Sequence, residues 1–247
     1  MRSLAKTSWV ELKLFAREPL TVVFTFALPL VLLFVLGSVF GNTPDPSVYR
    51  GVGAMDYYVP AYAGLVIASL GLIALPTHLA GYRERGILRR FRASPVPLWS
   101  VFGAHVLVTM ASAAAGSVLL IIVAALSYDI LAPVSPAGFA GAFVLGALAF
   151  SAIGALLGAA MPTARAAQGA GVLLWFVMMI IAGAGPPPEV LTDATRAVAD
   201  TTPLRHVILL LQDPWLGFGW NLIETGIVVA WLAGSAALAV ILLRRRA

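Results

Sequence analysis

The sequence contains no cysteine, few charged residues and only two lysines among its 247 residues. Without cysteine, the chain forms no disulfide, thiolate metal site or cysteine nucleophile. Only 11% of the residues are charged, whereas a soluble domain carries about 25%. Because 60% of the residues are hydrophobic, most of the protein surface must face lipid. The composition therefore excludes a soluble, disordered or collagen-like protein.

Six apolar stretches are long enough to cross a membrane as helices, since a span needs about 20 residues. Pro29 and Pro76 are expected to kink the first two spans, because proline cannot donate a helical hydrogen bond. The sequence thus predicts an all-α membrane protein with a single transmembrane domain over residues 1–247. The predicted spans are residues 20–40, 57–80, 99–126, 137–160, 169–184 and 221–243.

Lysine and arginine residues lie mainly on one side of the predicted bundle. If the N-terminus is cytoplasmic, thirteen of the sixteen basic residues lie in cytoplasmic segments, and only Arg50, Arg196 and Arg205 lie outside. Such an excess of positive charge marks the cytoplasmic side. We therefore expect a multi-pass protein of the inner or plasma membrane with both termini in the cytoplasm. The net charge of +5 follows from this topology and indicates no nucleic-acid partner.

Residues 1–18 precede the first span and combine apolar with basic positions. At helical spacing, Leu4, Trp9 and Phe15 share an arc beside Lys6. This pattern is typical of an amphipathic helix that lies in the membrane interface. A basic segment that only anchors the N-terminus inside is the alternative.

The predicted cytoplasmic loop, residues 82–97, holds five arginines. Read as a helix, it places Arg85, Arg89 and Arg92 on one face and the apolar Leu88 on another. A two-faced helix of this kind fits a groove on a cytosolic protein. Arginines that only hold the loop inside explain the pattern equally well.

The predicted outer connection, residues 185–220, is too long for a turn and too short for a domain. Within it, residues 203–212 form an apolar stretch about half a membrane long, bounded by Pro203 and Pro214. This pattern predicts a re-entrant helix, which is tolerated only where protein or a water-filled cavity covers it. We expect the helix to act as a gate, and a plain surface helix is the equally weighted alternative.

Ionisable residues are nearly absent from the spans. His78, His105 and Glu224 lie near span ends, where their side chains reach headgroups or water. Transporters driven by ion gradients place such groups mid-membrane, so this class is disfavoured. Neither lysine stands in the Gly-x-x-x-x-Gly-Lys-[Ser/Thr] motif that cradles nucleotide phosphates. The chain is therefore not expected to be an enzyme, and it should hold no catalytic residue or metal site.

Three segments carry a resemblance to a known family. Residues 83–95 resemble that family's E-R-G-T-L-x-R-L-x-x-[ST]-P segment between the second and third helices, with Ile87 in place of threonine. Residues 161–168 resemble its short loop before the fifth helix, and residues 201–204 with 211–217 resemble its re-entrant region. Over its whole length the chain resembles the permease subunit of ABC-2 type transporters, in particular actinobacterial drug exporters.

The resemblance implies a type V exporter fold with re-entrant helices before the last span. It also implies that the 82–97 loop contains a coupling helix, which docks on a separate ATP-binding subunit. Two permease chains, identical or different, would join two ATPases that bind ATP and magnesium, so this chain itself would hold no cofactor. The implied coupling residues are Glu84, Arg85, Gly86, Ile87, Leu88, Arg89 and Phe91, and the implied gate residues are Pro203, Leu204, Leu209 and Leu211.

The expected function is export of a hydrophobic or amphipathic substrate, such as a drug, lipid or glycoconjugate, from the cytoplasm or inner leaflet. Multidrug efflux and antibiotic resistance belong to this expectation. An ATP-independent secondary transporter and a membrane scaffold protein are the alternatives. Aromatic and methionine side chains adapt to many shapes and would suit the substrate pathway, although each also fits a core or lipid-facing position. The candidate pathway residues are Trp175, Phe176, Met178 and Met179.

Overall fold

The computed structural model describes residues 19–87 and 98–245, except for the side chains of residues 98–102, 104, 244 and 245. The predicted interfacial helix and three predicted coupling residues, Leu88, Arg89 and Phe91, lie outside the described residues. The described part of the chain forms helices, with two short 3₁₀ turns at Tyr49–Gly51 and Pro188–Val190, and contains no strand. The helices are α1 (Pro19–Phe40), α2 (Ala54–Glu84), α3 (Leu98–Tyr128), α4 (Pro136–Ala160), α5 (Ala164–Ile181), α6 (Asp193–Ala199), α7 (Pro203–Leu216) and α8 (Leu222–Arg245).

Six of these helices, α1 to α5 and α8, are long and apolar enough to cross a membrane. The prediction of six spans is therefore confirmed for the described residues. Two helix ends differ from the sequence interpretation. Helix α2 continues to Glu84, so residues 82–84 are its last turn and not part of the loop. Helix α5 begins at Ala164, five residues before the predicted start, because Thr163 caps it by accepting a hydrogen bond from the Ala166 amide.

The connections between spans differ in length at the two ends of the bundle. One end, here named the long-loop end, carries residues 41–53, 129–135 and 182–221. The opposite end, named the short-loop end, carries residues 161–163 and the segment that follows α2.

Two spans contain a π-turn just before a proline. Val23–Ala27 precedes Pro29 in α1, and Leu70–Ala74 precedes Pro76 in α2. A proline ring clashes with the carbonyl four residues earlier and leaves that carbonyl without its usual donor. A π-turn accommodates the clash by widening the helix locally. The distortion expected at both prolines therefore takes this form.

Helix α2 occupies the centre of the bundle. Its apolar window is completely buried, whereas the windows of the other five spans are at most half buried. Helices α1, α3, α4, α5 and α7 pack around it, and α8 packs on α4 and α7. Any movement of α2 must therefore be accommodated by most of the bundle.

Glycines allow the backbones of α4 and α5 to approach α2 at its π-turn. A Cβ atom at Gly154 of α4 would overlap the carbonyl oxygen of Gly71, and one at Gly171 of α5 would overlap that of Leu72. Such contacts between small residues hold helices together in lipid, where apolar burial gives little net association. The three helices are thus joined by backbone contacts as well as by side chains.

Replacement of Gly171 by alanine should destabilise the bundle, because the added methyl group collides with α2 backbone that cannot rotate away. We expect Gly171→Ala to lower stability by about 1–3 kcal/mol, the usual range for overpacking. The matched control is Gly169→Ala on the same helix, since nothing lies within 4 Å of a Cβ atom there. Thermal unfolding in one detergent measures both, and equal midpoints for the two variants would contradict the packing.

Candidate functional site

Arg83, in the last turn of α2, binds the end of α4 at the short-loop end. Its guanidinium donates hydrogen bonds to the carbonyl oxygens of Gly158 (3.1 Å), Ala159 and Met161. Carbonyls in the last turn of a helix have no partner within the helix and carry partial negative charge. The cationic side chain therefore satisfies these groups and fixes the end of α4 against α2.

Glu84, the next residue, binds the beginning of α5. Its carboxylate accepts a hydrogen bond of 3.1 Å from the backbone amide of Ala164, the first residue of that helix. The first amides of a helix have no acceptor within it and carry partial positive charge, so an anionic side chain is favoured there. Arg83 and Glu84 thus hold the facing ends of two helices, and we name this pair the Arg83–Glu84 clamp.

Residues Arg85 and Gly86 end α2 directly after the clamp. The Arg85 Nε donates to the carbonyl oxygen of Gly81 at 3.3 Å, and the Gly86 amide donates to the carbonyl oxygen of Arg83 at 3.1 Å. Gly86 has a φ of 68°, a left-handed conformation that favours glycine and stops helices. Ile87, which follows, is half-buried. The chain therefore turns away from α2 at a point fixed by the clamp.

Helix α7 at the long-loop end contains the four predicted gate residues. Pro203, Leu204 and Leu211 are buried, and Leu209 is half-buried. The helix packs on α2, α4, α5 and α8. This burial rules out a helix lying on the protein surface, while a gating role stays a prediction.

His206 joins α7 to α8 and to Asp200, the residue that follows α6. Its Nδ1 lies 2.6 Å from the Glu224 carboxylate, and its Nε2 lies 2.8 Å from the carbonyl oxygen of Asp200. Both partners are acceptors, so the arrangement favours an imidazolium with a proton on each nitrogen. The hydrogen bond with Glu224 is the main cause that raises the pKa of His206, against the effect of burial.

Arg50 ties the 41–53 connection to the other end of α7. Its guanidinium donates to Asp213 at 2.7 Å and to Gln212 at 3.3 Å. Asp213 also accepts from the Asn221 side chain at 2.8 Å, and Gln212 donates to the carbonyl oxygen of Tyr57 at 3.1 Å. The buried Asp213 carboxylate is thus compensated from two sides.

A cavity of about 750 Å³ opens at the long-loop end between α1, α2 and the end of α5. Its walls come from Leu36 and Phe40 of α1, Tyr58 of α2, Met179 of α5 and the 41–53 and 184–190 connections. Tyr58 donates a hydrogen bond of 2.8 Å to the carbonyl oxygen of Gly185, which fixes one wall. The cavity has the size of a drug-binding pocket, about 300–1,000 Å³.

A family model for ABC-2 type transporters matches residues 4–214, which include five of the six spans and the Arg83–Glu84 clamp. The chain belongs to the ABC-2 type transporter family. It is therefore a multi-pass membrane permease of an ABC transporter, and this family supplies the transport component and not the ATPase. Membership implies an ATP-binding partner and a lipid environment. A comparison of the permease with curated proteins gives no match.

The four predicted pathway residues of the permease lie in different surroundings. Trp175 is completely buried, packs edge-on against Phe24 at 4.9 Å and donates a hydrogen bond of 3.1 Å to the carbonyl oxygen of Leu65. Phe176 is 38% exposed, and Met178 is half-buried. Met179 alone among these four lines the cavity. In the permease, Trp175 is thus a packing residue of the core, and a pathway role is best supported for Met179.

Two groups of contacts in the permease were not predicted from the sequence. Arg83 counts there only as one of several cytoplasmic charges, although it caps α4. Glu224 is considered there only as a residue near a span end and His206 is not singled out, although the two side chains form one contact. The available signal was the presence of ionisable residues at span ends, where helix termini also lie.

Loss of the Glu84 side chain should loosen the start of α5. We expect Glu84→Ala to speed hydrogen exchange of the amides at 164–167 by about five- to thirty-fold, as for loss of a helix cap worth about 1–2 kcal/mol. Exchange followed by mass spectrometry measures this. Arg165→Ala, an exposed change at the same helix end, serves as the control. Equal exchange in both variants would show that the contact does not hold the helix.

The His206 contact should weaken at alkaline pH. Because the folded-state pKa is raised, its stabilising contribution is complete below the ordinary histidine pKa of about 6.5 and is lost as pH rises through the folded value. We therefore expect the thermal midpoint to fall more between pH 6 and 9 in the wild-type permease than in His206→Gln. Parallel curves for wild type and His206→Gln would refute this assignment.

Proposed function

We propose that this permease is the transmembrane subunit of an ATP-driven exporter in the cell membrane, with its short-loop end in the cytoplasm. Two permease chains, identical or different, would work with two ATP-binding subunits. The distribution of basic residues supports this orientation. The proposed cargo is a hydrophobic or amphipathic molecule taken from the cytoplasm or inner leaflet, and multidrug efflux and antibiotic resistance fall within this proposal.

The Arg83–Glu84 clamp is the observation that carries the proposal. The clamp forms the start of residues 83–95, the segment whose sequence resembles the family segment that holds the coupling helix. A force applied to that segment by the ATPases would reach α4 and α5 through hydrogen bonds of consecutive residues on α2. Three spans would then move together, which is what alternating access requires.

The far end of α2 supports a path from the clamp to the gate. The first half of α2, Ala54–Ser69, packs on α7. Gln212 of α7 also donates a hydrogen bond to the carbonyl oxygen of Tyr57 in α2. A displacement of α2 would therefore change the position of α7 and of the predicted gate residues Leu204 and Leu211. The cavity beside α2 would receive the cargo on its way out.

Mild-detergent purification of the tagged chain from its native membrane tests the partnership. We expect an ATP-binding subunit in about equal amount, as the family membership implies. Leu88→Asp and Phe91→Asp should release it, because both would place charge in the apolar face that the sequence predicts for the coupling helix. A permease that purifies alone in several gentle detergents would favour the secondary-transporter or scaffold alternative.

Loss of the clamp should separate ATP hydrolysis from movement of the permease. We expect Arg83→Gln to retain the ATPase but to reduce the ATP-induced signal at the long-loop end by about ten-fold, since hydrogen bonds to charged groups contribute about 1.5–3 kcal/mol. An environment-sensitive fluorophore on Val190→Cys reports this signal, because the chain has no other cysteine and Val190 is exposed.

Arg196→Gln is the matched control, because it removes an arginine that is exposed and far from the short-loop end. Arg83→Lys keeps the charge but not the planar group that reaches several carbonyls, so its signal should fall between the two. An unchanged signal in Arg83→Gln, with ATPase still bound, would overturn the role of the clamp.

A further inference from the structure

The cavity at the long-loop end has apolar walls and one charged residue. Of its sixteen lining residues, all within the described part of the chain, only Asp45 carries a charge. The Ser47 amide and hydroxyl donate to the Asp45 Oδ1 at 2.9 and 2.6 Å. These hydrogen bonds lower the pKa of Asp45, so the carboxylate is ionised at neutral pH.

A second carboxylate flanks the same cavity. Glu189 is exposed on the Pro188–Val190 turn, between the lining residues Pro187 and Val190. Burial raises the pKa of Tyr49, another lining residue, a hydrogen bond with Tyr58 opposes this, and the negative charges of Asp45 and Glu189 add to the increase. Both carboxylates therefore act on the same wall of the cavity.

The cations at this end of the bundle are already paired. Arg50 lies 2.7 Å from Asp213, Arg205 lies 3.5 Å from Asp200, and Arg196 lies 2.7 Å from Asp193. Within residues 19–87 and 98–245, neither Asp45 nor Glu189 has an ion-pair partner. The rim of the cavity is thus left with negative charge.

Aromatic rings inside the cavity also favour a cationic ligand. Phe40, Tyr49 and Tyr58 line it, with ring centroids 6.1 Å apart for Phe40 and Tyr49 and 5.6 Å apart for Tyr49 and Tyr58. The faces of such rings attract cations. Leu32 and Leu36 supply apolar surface for the remainder of a bound molecule.

We propose that this cavity binds an organic cation with an apolar body, and that Asp45 and Glu189 select for its positive charge. The proposal rests on the proposed export function and narrows its cargo to amphipathic amines or quaternary ammonium compounds. The apolar walls would receive the body, the aromatic rings would contact the charged group, and the carboxylates would raise the local concentration of cations at the rim.

Binding of rhodamine 6G, a lipophilic cation, tests this proposal without ATP. The permease complex is placed in nanodiscs of phosphatidylcholine, which has no net charge, and fluorescence anisotropy gives the affinity. We expect Asp45→Asn and Glu189→Gln each to weaken binding by about two- to five-fold and the double variant by about five- to ten-fold. Asparagine keeps an oxygen for Ser47, so the turn at residues 45–47 is preserved.

Two controls locate the probe and isolate the charge. Asp193→Asn, a nearly fully exposed acid elsewhere at the same end, should leave the affinity unchanged. Val190→Trp should fill the cavity and weaken both rhodamine 6G and the uncharged dye Nile red. The two carboxylate variants should leave Nile red binding unchanged, because that dye presents no charge to them.

Equal binding of both dyes, with no effect of the carboxylate variants, would overturn the proposal and favour a lipid chain or a second permease chain as the occupant. Failure of the export function would be seen separately, because binding is measured without nucleotide. A permease that purifies without an ATPase but binds rhodamine 6G through Asp45 would refute the proposed export function and leave the cation site intact. A permease that purifies with its ATPase but shows no charge preference would refute this inference alone.

Discussion

The bundle depends on satisfying the backbone groups at helix ends, because the first amides and last carbonyls of a helix have no partner within that helix. The three-residue connection 161–163 leaves the last carbonyls of α4 and the first amide of α5 beside each other. Arg83 and Glu84 supply the matching charges from consecutive positions on α2. Since one helix satisfies the ends of two others, the position of α2 determines the geometry of the whole short-loop end.

Helix α2 holds its neighbours at three levels along its length. The clamp acts at the short-loop end, glycine contacts with α4 and α5 act at the Leu70–Ala74 π-turn, and Gln212 of α7 bonds to Tyr57 near the long-loop end. Close backbone contacts resist deformation far more than flexible side chains do. Helix α2 therefore behaves as a rigid connection between the short-loop end and the cavity.

The number of spans was predictable because the membrane imposes a length and a composition on each helix. The partners of single residues were not predictable. In lipid both faces of a span are apolar, so the sequence of α5 could not show that Trp175 packs on Phe24 while Met179 reaches the cavity. The contacts of Arg83 were also not predictable, because its acceptors are backbone carbonyls that any sequence provides. The coupling residues Leu88, Arg89 and Phe91 lie outside the described part of the chain and stay predictions.

Helix α7, which holds the predicted gate residues, and the cavity share a structural element, the 41–53 connection. Arg50 in this connection bonds to Asp213 of α7, while Tyr49, its neighbour, forms part of the cavity wall. On its other side, α7 is held to α8 through His206 and Glu224. A displacement of α7 must therefore either break the Arg50 contact or move the cavity wall with it. Breaking that contact would leave the buried Asp213 carboxylate short of a charged partner, which is unfavourable, so we expect the cavity wall to follow α7.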